Sequence, residues 1–84
     1  MVERIQTGVR IAAPLLKVLK GLAEYKDMSL GDLLEGIVLH AFEGKPPFSP
    51  DTQAVIAKLR DVYGLELTSA DSHLLDDETD GTAS

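Results

Sequence analysis

A short segment near the N-terminus alternates strictly between two kinds of side chain. Within residues 4–11, the non-apolar positions are Arg4, Gln6, Gly8 and Arg10, and the intervening, largely apolar positions are Ile5, Thr7, Val9 and Ile11. Because successive side chains of a strand point to opposite faces, this pattern predicts a short β-strand with one wet, basic face.

The predicted strand has no partner within its own chain, because no other segment alternates comparably. A lone strand leaves a row of backbone donors and acceptors unpaired, and a second copy of the chain is the simplest partner. A chain of 84 residues also buries too little surface to be comfortably stable alone, and dimerisation enlarges the core. The sequence therefore predicts a two-stranded ribbon formed by a homodimer.

Two amphipathic helices are predicted to follow the strand. Residues 14–26 carry an apolar stripe at helical spacing, interrupted by Gly21, which marks a close approach of another backbone. The second helix starts at Ser29, whose hydroxyl suits an N-cap, with Asp32 three residues later. It ends before Pro46-Pro47, a pair that cannot continue a helix.

A third helix is predicted at about residues 50–63, with Ser49 as its N-cap and Gly64 as its stop. Residues 65–75 are ambiguous and are interpreted as a short extended piece followed by one helical turn starting near Ser69. Phe48 is expected to hold the third helix against the first two. The apolar positions expected in the core or the dimer interface are Ile5, Val9, Ile11, Leu19, Leu22, Leu33, Leu34, Ile37 and Val38.

Charge is distributed unevenly along the chain. The net charge of −6 argues against generic nucleic-acid binding by the whole chain. Up to Lys26, however, five basic and two acidic residues give +3, whereas the residues from Leu67 onward carry five acidic side chains and no basic one. This asymmetry is expected of a protein whose N-terminal end meets DNA.

Several classes of site are excluded or disfavoured by the residues present. The chain has no cysteine, which excludes disulfides and thiolate metal sites and fits an intracellular protein. His40 and His73 lack partners at metal-ligand spacing, so no metal or other cofactor is expected. No catalytic triad, glycine-rich phosphate loop or clustered carboxylate pair indicates an enzyme. Without an 18-residue apolar run, we expect a cytoplasmic protein with no membrane partner.

Taken with the predicted strand and helices, three short motifs resemble the ribbon-helix-helix family of DNA-binding repressors, the Arc and MetJ type. The resemblance covers residues 4–44, and the motifs are Gln6-Thr7-Gly8-Val9-Arg10-Ile11, the stripe from Leu15 to Ala23, and Met28-Ser29-Leu30-Gly31-Asp32-Leu33-Leu34. It implies a mainly α-helical fold with one N-terminal strand, in which two chains pair their strands into an antiparallel ribbon that enters the major groove.

The resemblance also implies which residues contact DNA. Gln6, Gly8 and Arg10 would face base edges, where Gln suits adenine and Arg suits guanine. Arg4 and the start of the second helix, Ser29-Leu30-Gly31, would contact the DNA backbone, since a helix N-terminus favours phosphate. Two departures weaken this transfer: Gly8 has no side chain to read a base, and Asp32 brings a negative charge near the phosphate position. Arg10 has an alternative role as a solvated residue that discourages strand aggregation.

The resulting hypothesis divides the chain into a ribbon-helix-helix domain (1–45), an extension with the third helix (46–75) and a disordered acidic tail (76–84). The leading function is a homodimeric, sequence-specific DNA-binding regulator of transcription, acting as a repressor. One alternative is an antitoxin-like protein that binds a protein partner through residues 46–84. Another is a dimeric scaffold that has lost DNA binding.

Overall fold

A computed structural model describes residues 2–72 of the chain. Helix α1 spans Ala13–Lys26, α2 spans Leu30–Phe42 and α3 spans Pro50–Tyr63. A 3-10 turn, Ser69–Asp71, follows α3 and lies within the segment whose sequence was ambiguous. The three α-helices occupy the ranges that the apolar periodicity and the capping residues predict, whereas the proposed tail at 76–84 lies outside the described residues.

The helix ends follow from local chemistry. The Ser29 hydroxyl accepts a hydrogen bond from the backbone N–H of Asp32 at 3.1 Å, and the Ser49 hydroxyl accepts one from Thr52 at 3.2 Å. These bonds satisfy N–H groups that the first turn of a helix leaves without partners. At the other end of α3, Gly64 adopts a left-handed conformation with φ of 67°, which glycine reaches without a steric penalty.

The core forms around α1, which packs against both other helices and more extensively against α3. Its centre consists of Leu22, Ala23 and Leu33, which are buried. Partly buried side chains close around this centre: Leu19, Ile37, Phe48, Val55, Ile56 and Leu59. Phe48 therefore contacts the core together with α3, as predicted. Helices α2 and α3 flank α1 without a close backbone approach to each other.

The predicted β-strand at residues 4–11 is wrong, because the described part of the chain contains helices and no strand. Residues 2–12, here called the N-terminal segment, have no regular secondary structure. Alternation reports only which side chains are apolar, whereas a strand also needs a neighbour to accept and donate backbone hydrogen bonds. Residues 2–72 offer no such neighbour. The structure is therefore a small all-helical fold and not the predicted ribbon-helix-helix architecture.

Within a single chain, the positions expected in the core or the dimer interface are buried or half-buried in the helices, except Val38, and mostly exposed in the N-terminal segment. Leu22 and Leu33 are buried, and Leu19, Leu34 and Ile37 are partly buried. By contrast, Ile5 and Val9 are 78% and 72% exposed, and Ile11 is only half-buried. Val38 is also exposed, at 44%. Without a paired strand, nothing holds the apolar side of the N-terminal segment against the helices.

Candidate nucleic-acid interface

The three residues predicted to contact bases lie on the N-terminal segment. Gln6, Gly8 and Arg10 are all exposed, and no atom comes within 4 Å of a side-chain carbon built onto Gly8. Polar side chains are thus presented to solvent by a segment that is not constrained by a sheet. Such an arm can follow the surface of a duplex, but it does not hold its side chains in a fixed register.

Most basic residues of the N-terminal half are not engaged by carboxylates within residues 2–72. The ion pairs found there are Arg4–Glu35 and Lys45–Glu43. Five exposed basic side chains therefore lack an ion pair within the described part of the chain. One is Lys58 on α3, and the other four lie in the N-terminal half: Arg10, Lys17, Lys20 and Lys26. Basic side chains in this condition can neutralise phosphates without first breaking an internal contact. These four residues and the N-terminal segment are the candidate DNA contacts. Lys17 and Lys20 lie about one turn apart on α1, and Lys26 is its last residue.

Arg4, in contrast, is occupied within the chain. Its Nε and Nη2 atoms donate hydrogen bonds to the two carboxylate oxygens of Glu35, each at 3.2 Å. The hydrogen bond to Glu35 is the main cause of a raised Arg4 pKa, with smaller attractions from the charges of Glu35 and Asp32. The contact ties the start of the N-terminal segment to α2, and Arg4 must leave Glu35 before it can bond a phosphate.

The start of α2 is a less favourable phosphate site than the family resemblance implies. Ser29 and Gly31 are exposed and Leu30 is half-buried, so the backbone there is partly accessible. The Ser29 hydroxyl, however, is already used as the helix cap. Asp32 in the first turn and Glu35 one turn later place two carboxylates beside the helix N-terminus. Their charge opposes a phosphate that the helix dipole would otherwise attract.

Sequence reasoning did not identify the contact between Arg4 and Glu35, which are 31 positions apart. Nothing in local spacing signals such a pair, because it depends on how the N-terminal segment lies across α2. Sequence reasoning also overlooked that α2 has apolar side chains on more than one face. That second feature was readable: of its 13 residues, only Asp32, Glu35 and His40 are ionisable.

The described residues also bear on metal and membrane binding. No group of three or more His, Cys, Asp and Glu side chains within residues 2–72 is arranged to hold a metal ion. His40 instead lies with its Nδ1 atom 2.7 Å from the carbonyl oxygen of Gly36, one turn earlier in the same helix. No helix in this part of the chain has the length and apolar character needed to cross a membrane.

In comparisons with known proteins, the chain matches no family model, no curated protein and no solved structure. The resemblance to ribbon-helix-helix repressors therefore rests on the sequence motifs alone.

Proposed function

We propose that this protein is a cytoplasmic DNA-binding regulator of transcription that acts as a homodimer. The observation that carries the proposal is the set of exposed basic side chains in the N-terminal half without a described ion pair, Arg10, Lys17, Lys20 and Lys26. Affinity for a duplex comes largely from basic side chains that replace the counterions of phosphates. Through Lys26 the chain carries +3, although its total charge is −6.

In this proposal the N-terminal segment contacts DNA as an exposed arm. Arg10 reaches phosphates or guanine, and Gln6 can bond the edge of an adenine. Two arms from two copies would bind two neighbouring stretches of one duplex, which raises affinity without any additional contact within a chain. Hydrogen bonds from Gln6 and Arg10 to base edges would provide the sequence preference. Stable occupancy of the DNA site is then sufficient for repression.

The antitoxin-like alternative has less support. It required residues 46–84 to be available for a protein partner, but Val55, Ile56 and Leu59 of α3 pack against the core of the chain itself. A scaffold without DNA binding is the competing outcome of the experiment that follows.

The test measures fluorescence anisotropy of a labelled mixed-sequence duplex at about 50 and 200 mM salt, with wild type, Arg10→Ala and Lys58→Ala. Both variants remove one exposed positive charge, but Lys58 lies on α3. We expect salt-sensitive binding that Arg10→Ala weakens, with a salt slope reduced by about one per chain. Lys58→Ala should behave as wild type. Equal effects of both variants, or no binding at either salt concentration, would contradict the proposal.

A further inference from the structure

Helix α2 has a second apolar face that nothing in the described chain covers. Its inner face packs on α1 through Leu33 and Ile37. The opposite side, here called the outer face, consists of Leu34, Val38, Leu39 and Phe42. Phe42 is 82% exposed and Leu39 is 60% exposed. A helix that is apolar nearly all round is normally buried on both sides, and contiguous exposed apolar side chains mark interaction surfaces.

A groove of about 550 Å³ runs beside the outer face. It is lined by apolar side chains of α2 and by the start of the N-terminal segment, with Arg4 and Glu35 among its lining residues. Val2 also lines the groove but remains 71% exposed. The chain's own N-terminal segment therefore borders the groove without filling it. Leu39, which lines the groove, and Phe42 both remain exposed.

The N-terminal segment is held only weakly in its present position. Its side-chain hydrogen bonds to the rest of the described chain are those from Arg4 to Glu35, and these two side chains are 64% and 49% exposed. Exposed ion pairs contribute little to stability, because water competes for both charges. The nine residues from Arg4 to Ala12 can span up to about 30 Å before α1 begins. Arg4 can therefore reach the Glu35 of a neighbouring molecule.

We propose that a second copy of the chain covers the outer face of α2, and that the two copies exchange N-terminal segments. Arg4 of each chain then bonds Glu35 of the other, and Val2 enters the other chain's groove. This inference rests on the homodimer in the proposed function and names the surface that forms it.

A second copy suits this surface better than an unrelated partner. In a symmetric dimer the same surface meets itself, so it must complement its own charge and shape. Arg4 and Glu35, which already bond each other, line the groove together with apolar side chains, so the surface carries both charges. Within residues 2–72 the single chain buries five apolar residues: Val18, Leu22, Ala23, Leu33 and Leu65. Pairing the outer faces extends this small core across the dimer.

The first test compares the oligomeric state of wild type, Leu39→Glu and Val62→Glu by sedimentation velocity over a range of concentrations. Both substitutions place a carboxylate at an exposed apolar position, at 60% on α2 and at 72% on α3. We expect wild type and Val62→Glu to be dimers and Leu39→Glu to dissociate at concentrations at least about tenfold higher. Circular dichroism confirms that each variant is helical. A monomeric wild type, or a dimer indifferent to Leu39→Glu, would overturn the proposed surface.

The second test addresses segment exchange with Arg4→Glu and Glu35→Arg. Each variant alone brings like charges together, whether the contact forms within a chain or between chains. In an equimolar mixture, exchange pairs opposite charges at both contacts of the mixed dimer, while contacts within a chain stay repulsive. We expect the mixture to form mixed dimers more tightly than either variant pairs with itself, as measured by native mass spectrometry. Statistical mixing would overturn the exchange.

These outcomes are separable from those of the DNA-binding test. A dimer that depends on Leu39 but fails to bind duplex DNA would contradict the proposed DNA-binding function and leave the outer-face interface supported. A monomer that binds DNA through Arg10 would support the proposed DNA binding and contradict the outer-face interface.

Discussion

At the residue scale, Gly21 lies on the side of α1 that meets α3. A glycine inside a helix pattern predicted the close approach of another backbone. In the structure, the neighbours are side chains of α3: a carbon added to Gly21 would lie 3.1 Å from Leu59 Cδ2 and 3.5 Å from Tyr63 Cε2. The site is crowded, but the atoms in the way are the ends of side chains.

Gly21 and Gly36 provide a matched pair for measuring that crowding. Both lie inside helices, and replacing glycine with alanine there gains about 1 kcal/mol of helix stability. No atom lies within 4 Å of a carbon added to Gly36, so Gly36→Ala should raise the free energy of unfolding by about that amount. Gly21→Ala should gain less or lose stability, because Leu59 must move. Urea denaturation measures the free energy of unfolding of both variants. Equal gains would show that Leu59 moves at no cost in stability.

At the element scale, the helices are specified by their ends as much as by their apolar stripes. Ser29 and Ser49 each cap a helix through the same hydroxyl geometry. The surroundings differ, because the Ser49 hydroxyl also lies 3.3 Å from the hydroxyl of Thr52, a buried residue. Loss of the Ser49 side chain would leave a buried polar group with one partner fewer.

The two caps should therefore differ in their contribution to stability. We expect Ser29→Ala to lower the free energy of unfolding by about 1 kcal/mol. Ser49→Ala should lower it further, by about 2 kcal/mol, since the Thr52 hydroxyl also loses a partner. Aspartate at either position can still accept the backbone hydrogen bond, so the Ser→Asp variants are the controls for loss of the cap. Equal losses at the two caps would show that the Thr52 hydroxyl does not depend on Ser49.

At the scale of the whole molecule, α1 packs on both α2 and α3, whereas these two helices do not approach each other closely within residues 2–72. Helix α3 covers one side of it through Val55, Ile56 and Leu59, so the extension predicted as a possible partner-binding segment is part of the fold. Helix α2 covers another side and turns its outer face away. The molecule is thus open on the α2 side, where the outer face is exposed.

A dimer formed on the open side makes stability depend on protein concentration. Binding that occurs only in the folded state stabilises that state by mass action. We expect the thermal midpoint of wild type to rise as the protein is concentrated, and that of Leu39→Glu to stay constant. Differential scanning fluorimetry across a dilution series measures both. A wild-type midpoint that does not change with concentration would show that the chain unfolds as a monomer.

The sequence by itself determined the three helices, the serine caps of α2 and α3, and the core residues Leu22 and Leu33. Those features depend on the spacing of apolar residues and on hydrogen bonds between neighbours three positions apart, both of which are visible along the chain. Only the tertiary structure decided that residues 2–12 have no regular secondary structure and that Arg4 pairs with Glu35. A strand requires a hydrogen-bonded neighbour and an ion pair requires two distant segments to meet, and local sequence specifies neither.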